Sequence, residues 1–94
     1  MKAIWNNQII AQSNDTKLVE GNHYFPPESI ERKFFKNSDH ETICGWKGTA
    51  SYYHLEDENK VSKNAAWYYA EPLEEASHIK SYVAFDNDVQ VVDN

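Results

Sequence analysis

Cys44-Gly45-Trp46-Lys47-Gly48-Thr49-Ala50-Ser51-Tyr52 lies at the middle of a 94-residue chain and separates two runs of strand-forming residues. The flanking runs, Glu41–Gly45 and Lys47–Glu56, carry β-branched and aromatic side chains that suit a pleated, half-buried surface. They read as two strands, or as one strand interrupted at Gly45 and Gly48. Glycine inside a strand marks a bulge or a close backbone approach. Either way the centre of the chain is extended, which points to a β-rich domain.

Outward from that centre the pattern continues. Towards the N-terminus, Lys2–Trp5 and Gln8–Gln12 read as strands joined by Asn6-Asn7, a pair that tolerates the positive φ of a tight hairpin. Ser13-Asn14-Asp15-Thr16 then leads into a third strand, Lys17–Glu20, closed by Gly21-Asn22, with Tyr24-Phe25 as a short extended piece. Pro26-Pro27-Glu28-Ser29 reads as a helix start, with Ile30 and Phe34 one turn apart and Asn37-Ser38-Asp39 as the stop. Towards the C-terminus, Glu56-Asp57-Glu58-Asn59-Lys60 is a turn and Ala65–Ala70 an aromatic strand. Glu71-Pro72 opens a second short helix with Leu73, Ala76 and Ile79 on one face. Tyr82–Phe85 and Val89–Val92 close the chain as strands around Asp86-Asn87-Asp88. The expected architecture is mainly β, in one domain over residues 1–94, with two short helices.

Composition narrows the function classes. No apolar run approaches the ~18 residues of a membrane span, and the early polar residues Asn6 and Asn7 leave no room for a signal-peptide core. Cys44 is the sole cysteine, so there is no internal disulfide and no paired-cysteine zinc site. The expectation is a cytoplasmic protein. Its net charge of -6, with Glu71, Glu74, Glu75, Asp86, Asp88 and Asp93 against Lys80 alone in the last stretch, repels phosphate backbones and anionic lipid. Neither nucleic acid nor membrane is an expected partner.

Few residues carry a motif. Cys44 with Lys47 nearby would form a stabilised thiolate, although free cysteine is also among the most buried residue types. His23, His40, His54 and His78 match no local metal spacing, so no metal and no cofactor is expected. Gly45 and Gly48 match neither a dinucleotide loop nor a phosphate-binding loop. The aromatics are more suggestive: Trp5, Tyr24, Trp46, Tyr52, Trp67 and Tyr69 serve equally as core or as the wall of a pocket.

Several segments, taken in order, resemble a known family: Val19-Glu20-Gly21, Tyr24-Phe25-Pro26, Ser38, Thr42 through Tyr52, Ala65-Ala66-Trp67-Tyr68-Tyr69-Ala70-Glu71-Pro72, and Ile79 with Val83-Ala84-Phe85. The family is the bacterial domain of unknown function 427, which also bears a predicted-nucleotidyltransferase label. This chain has Gly45 where the family commonly has proline, and Asp86 where an aromatic is commoner. The resemblance implies a β-tent-like fold of two antiparallel sheets meeting at an angle, as in methionine-sulfoxide reductases of the B type and the drug-binding domain of cereblon. Many β-tent members hold a cysteine-bound zinc, which one cysteine rules out. The transferase label finds no matching metal-binding carboxylates here.

The functional expectation is a small-molecule ligand bound between the sheets by Glu20, Tyr24, Cys44, Trp46, Lys47, Tyr52 and Trp67. In that picture the tryptophans are flat walls, Lys47 holds an anionic or carbonyl group, and Glu20 balances it. The alternatives are an interaction module, monomeric or homodimeric, and a transferase-like or thiol-based enzyme with no catalytic residue assigned.

Overall fold

In the computed structural model, which describes residues 1–94, Asn6 and Asn7 adopt φ values of 52° and 61°. They join β1 (Lys2–Trp5) to β2 (Gln8–Gln12) with Trp5 opposite Gln8, the hairpin expected of an Asn-Asn pair. Glu20 and Gly21, with φ of 51° and 81°, make the equivalent two-residue turn between β3 (Lys17–Val19) and β4 (Asn22–Tyr24). The remaining strands are β5 (Phe35–Cys44), β6 (Gly48–Asp57), β7 (Lys60–Tyr68), β8 (Val83–Phe85) and β9 (Gln90–Val92).

All strand pairs are antiparallel, in three sheets ordered β2-β1-β9, β3-β4 and β5-β6-β7-β8. The mainly β reading holds. Two sheets are expected from the family resemblance and three are present, because β3 and β4 form a separate ribbon. Phe25 ties that ribbon to the four-stranded sheet: its backbone exchanges both hydrogen bonds with Val83, each 2.8 Å.

Neither expected α-helix forms. Residues 27–34 make two separate 3-10 turns, Pro27–Ser29 and Arg32–Phe34. Between them Ile30 is extended and bridges Ala11, and the Glu31 N–H donates to the Ile10 carbonyl. A sheet-edge contact thus overrides the helical spacing of Ile30 and Phe34. The second expected helix is a 3-10 segment, Glu74–Ile79, kinked at Ala76. Asn37-Ser38-Asp39 does not stop an element either. It lies inside β5, at an irregularity where the pairing jumps from Asn37 opposite Tyr53 to Glu41 opposite Ser51. There Ser38 Oγ donates to Asn64 and receives the His40 N–H. β7 begins at Lys60 rather than Ala65, and bulges at Asn64, whose φ is 54° and whose N–H donates to His54 Nδ1.

The four-stranded sheet carries a hydrophobic cluster on each face, because side chains alternate along a strand. Leu55, Ala66, Val83 and Phe85 join Phe34, Phe35 and the inward residues Ala3, Trp5, Ile10 and Ala11 in the larger cluster. Phe25 and Phe35 both pack against Phe85, the former edge-on at 5.6 Å between ring centres; such pairs add about 0.5–1.5 kcal/mol beyond their burial. The buried Trp5 indole N–H donates to Ser62 Oγ at 2.9 Å. On the opposite face Ala50, Tyr69 and Ala84 pack with Val19 and Tyr24 of the ribbon and with Ala76 and Ile79 of the 3-10 segment. This second cover is small, and it leaves aromatic rings half open.

Candidate functional site

Gly45, Trp46 and Lys47 form the turn of the β5–β6 hairpin. Cys44 pairs with Gly48 at its base. The stretch is therefore a turn between two strands, not one interrupted strand. Gly48 supplies a φ of 106°, a backbone region that side-chain-bearing residues avoid. The turn leans on the segment before the last 3-10 stretch: Leu73 N–H donates to the Lys47 carbonyl at 2.9 Å. A consequence of the turn is that Lys47 comes close enough to Cys44 for the two to interact, although three residues of uninterrupted strand would have put them on opposite faces.

Of the seven expected residues, Glu20, Tyr24, Cys44 and Trp46 lie around Lys47, and Tyr52 and Trp67 join Tyr24, Cys44 and Trp46 in one cluster. Tyr24 is buried in the second cluster, and Cys44, Trp46, Tyr52 and Trp67 are half-buried against it. Trp67 Nε1 donates to Tyr24 Oη at 3.2 Å, and the Tyr52 and Trp67 rings lie tilted with centres 6.2 Å apart. Lys47 forms an ion pair with Glu20, while Trp46 Nε1 donates to the other Glu20 oxygen at 3.4 Å. The Lys47 ammonium also lies over two rings, 5.2 Å from the centre of Trp46 and 5.7 Å from that of Tyr69. Such cation–ring contacts strengthen as water is excluded.

The ion pair is lopsided. The Lys47 side chain is 9% exposed and that of Glu20 53%. Burial pulls the Lys47 pKa down, but the Glu20 hydrogen bond, with Tyr24, Tyr69 and Cys44 nearby, outweighs it, and the net shift is upward. The hydrogen bonds from Lys47 and then Trp46 hold the Glu20 carboxyl below its ordinary value. Burial pushes the Tyr69 hydroxyl up to about 12. The arrangement at neutral pH is a charged, buried ammonium beside the Trp46 indole and the Tyr24 and Tyr69 phenols.

Tyr82, His40 and Lys17 belong to this neighbourhood without having been expected at the site, as does Tyr69, named among the aromatics but not among the seven. Tyr69 lies beneath the ammonium, and Tyr82 packs on the cluster with Lys17 Nζ 4.7 Å from its ring centre. His40 packs against Tyr52 at 4.6 Å, and Thr42 Oγ1 shares a 3.0 Å hydrogen bond with Tyr52 Oη. The alternation of Trp67 and Tyr69 along one strand was the available signal for Tyr69. His40 had none, since it reaches Tyr52 from an irregular stretch of β5. Trp5, read with the other aromatics, lies in the opposite cluster.

A cleft of about 480 Å³ lies elsewhere, lined by Gln8, Lys33, Phe34, Lys36, Glu56, Asp57 and Glu58. None of the seven expected residues touches it. No group of three or more His, Cys, Asp or Glu side chains is placed to hold a metal ion. No helix is long and apolar enough to cross a membrane.

No curated protein matches the sequence. A family model described as a domain of unknown function, DUF427, matches residues 1–94, the whole length of the chain, and the chain belongs to that family.

Proposed function

We propose that the cluster around Lys47 binds a small molecule, with Trp46, Tyr52 and Trp67 as the contact surface and Glu20 as the movable counter-ion of the lysine. The observation that carries this reading is the open aromatic face. Cys44, Trp46, Tyr52, Trp67 and Tyr82 remain half-exposed against one cluster, whose Trp46 and Tyr69 rings face a buried ammonium. A face needed only for stability is better served by aliphatic side chains with no polar tips. Tryptophan and tyrosine with a cation among them instead suit a flat, polar-edged ligand. Catalysis is no part of this reading.

Thermal-shift screening of aromatic metabolites, followed by titration monitored by tryptophan fluorescence, tests it. A ligand that binds only the native state raises the melting temperature. That rise is expected for the wild type and is expected to shrink in Trp67→Ala. Absence of any ligand across a broad metabolite set would sink the proposal.

A second reading, an interaction module, draws on Ile43. It is 84% exposed on the edge strand β5, one residue from the hairpin turn. An apolar side chain on an open strand edge favours pairing with another chain. Sedimentation at low micromolar concentration separates the two, since a strict monomer removes the homodimer version.

A further inference from the structure

Lys47 Nζ and Trp46 Nε1 converge on the two oxygens of one carboxylate, the first on Oε1 and the second on Oε2 of Glu20. Two donors aimed at the two oxygens of a carboxylate make a recognition fork. The carboxylate that fills it arrives from the tip of a two-residue turn and is more than half exposed. Glu20 also holds a φ of 51°, a left-handed conformation that glutamate adopts only at a cost. Lys47 is fixed differently, buried in the hairpin turn that hydrogen-bonds to Leu73. Glu20 makes the only ion pair in the molecule with it.

A buried ammonium requires an anion, whereas an exposed carboxylate is well hydrated without a partner. The member of the pair that can leave is therefore Glu20, and what replaces it must also be an anion. The Tyr24 hydroxyl accepts the indole N–H of the half-exposed Trp67, whose ring lies against that of Tyr52. The flat faces of Trp67 and Tyr52 pack on the same cluster as the Trp46 arm of the fork.

We propose that the Lys47–Trp46 fork is a carboxylate-recognition site which Glu20 fills as an internal stand-in, and that its external ligand is a flat aromatic monocarboxylate lying against Trp67 and Tyr52. This rests on the reading of the cluster as a small-molecule site and gives that site a chemical class. Glu20 is then a competitor. It lowers the apparent affinity by the fraction of time it occupies the fork, and its removal raises that affinity.

The probes are 2-naphthoate and its uncharged counterpart 2-naphthamide, titrated into wild type, Glu20→Gln, Glu20→Ala and Lys47→Met. The readout is the set of indole N–H resonances of Trp46 and Trp67. Naphthoate is expected to move the Trp46 signal and to bind both Glu20 variants about tenfold or more tighter than wild type, as release from an internal competitor requires. Naphthamide is expected to bind all forms weakly, and Lys47→Met is expected to lose the preference for naphthoate. Glu20→Gln keeps the length of the side chain at the turn, so the comparison survives if Glu20→Ala fails to fold. Equal binding of naphthoate and naphthamide would overturn the carboxylate assignment and leave the small-molecule site standing. No movement of either indole in any variant with either probe would remove both.

Discussion

Lys47 and Glu20 face each other from two media: the lysine side chain is 9% exposed and the glutamate side chain 53%. Cutting the pair from its two ends therefore has unequal consequences. Lys47→Met leaves a carboxylate that water already solvates and places an apolar chain where an ammonium was buried. Glu20→Gln leaves the ammonium in the cluster without its anion. Removing one partner of a buried charge is the damaging step, and replacing the charge by a hydrophobic isostere is often neutral. The urea midpoint is expected to fall further for Glu20→Gln than for Lys47→Met. The reverse order would mean that Lys47 is better hydrated than its burial indicates.

Gly45 opens the hairpin turn and Gly48 follows it, and the two should respond differently to alanine. At Gly48 the φ of 106° is the obstacle, since an added Cβ would meet Leu73 N at 3.4 Å and the neighbouring backbone no closer. Conformation outweighs crowding there, and Gly48→Ala is expected to cost about 1–3 kcal/mol. At Gly45 nothing lies within 4 Å of an added Cβ and φ is not left-handed. Gly45→Ala is expected to stay within about 0.5 kcal/mol of wild type. Equilibrium urea denaturation of both variants checks the contrast.

Ser62 is the only side-chain hydrogen-bond partner of the buried Trp5 indole. Ser62→Ala orphans that donor and is expected to cost about 1–3 kcal/mol. In a Trp5→Phe background the donor is already absent, so the same Ser62→Ala change is expected to be nearly neutral. A double-mutant cycle by chemical denaturation measures the difference. Equal costs in the two backgrounds would show that the hydrogen bond adds nothing.

Alkaline stability follows from Tyr69. Its hydroxyl ionises at about 12 in the folded chain against 10.0 when unperturbed, because burial disfavours the phenolate. Below pH 10 it is neutral in both states and its contribution is complete. Between 10 and 12 the unfolded chain ionises first, and about 2–3 kcal/mol is lost across that window. Tyr69→Phe is expected to flatten this limb of the melting-temperature profile. The upward shift of Lys47 acts in the same direction above 10.5.

In acid the lowered groups Glu20 and Asp57 lose their contribution to the fold. Lys47 and Trp46 hold Glu20 down, and the Glu58 N–H with the Gln8 and Asn6 side chains hold Asp57 down. Their contributions are present above the ordinary values of 4.5 and 3.8 and disappear as pH falls through the lowered ones. Asp86, raised by burial, works the other way: its protonated form is favoured in the fold, so acid relieves it. Glu20→Gln is expected to reduce the acid-limb slope, and Asp86→Asn to steepen it. Thermal melts between pH 2 and pH 6 would show both.

Local chemistry made much of the fold legible. Asn6-Asn7 announces a hairpin because asparagine tolerates positive φ, and both residues adopt it. The 27–34 stretch was illegible for the opposite reason: its apolar spacing fits a helix, and only the distant Ala11 and Ile10 backbones pull Ile30 and Glu31 into an edge contact. The polar residues Asn37 to Asp39 read as a stop because their reward for remaining in a strand comes from Asn64, 26 residues from Ser38. At the candidate site, residue types suggested the gathering of Trp46, Lys47, Tyr52 and Trp67. Their geometry needed the turn at Gly45–Lys47, which brings Lys47 inward, and the left-handed Glu20 that meets it.

The four-stranded sheet works as a partition, with a closed core on one side and a half-open aromatic face on the other. Changes on the two sides share few side-chain contacts and should combine close to additively. The chain can then hold its fold with the Phe25, Leu55 and Phe85 side while the Trp46 and Trp67 side drifts. Under mutation, one surface anchors and the other is free to vary.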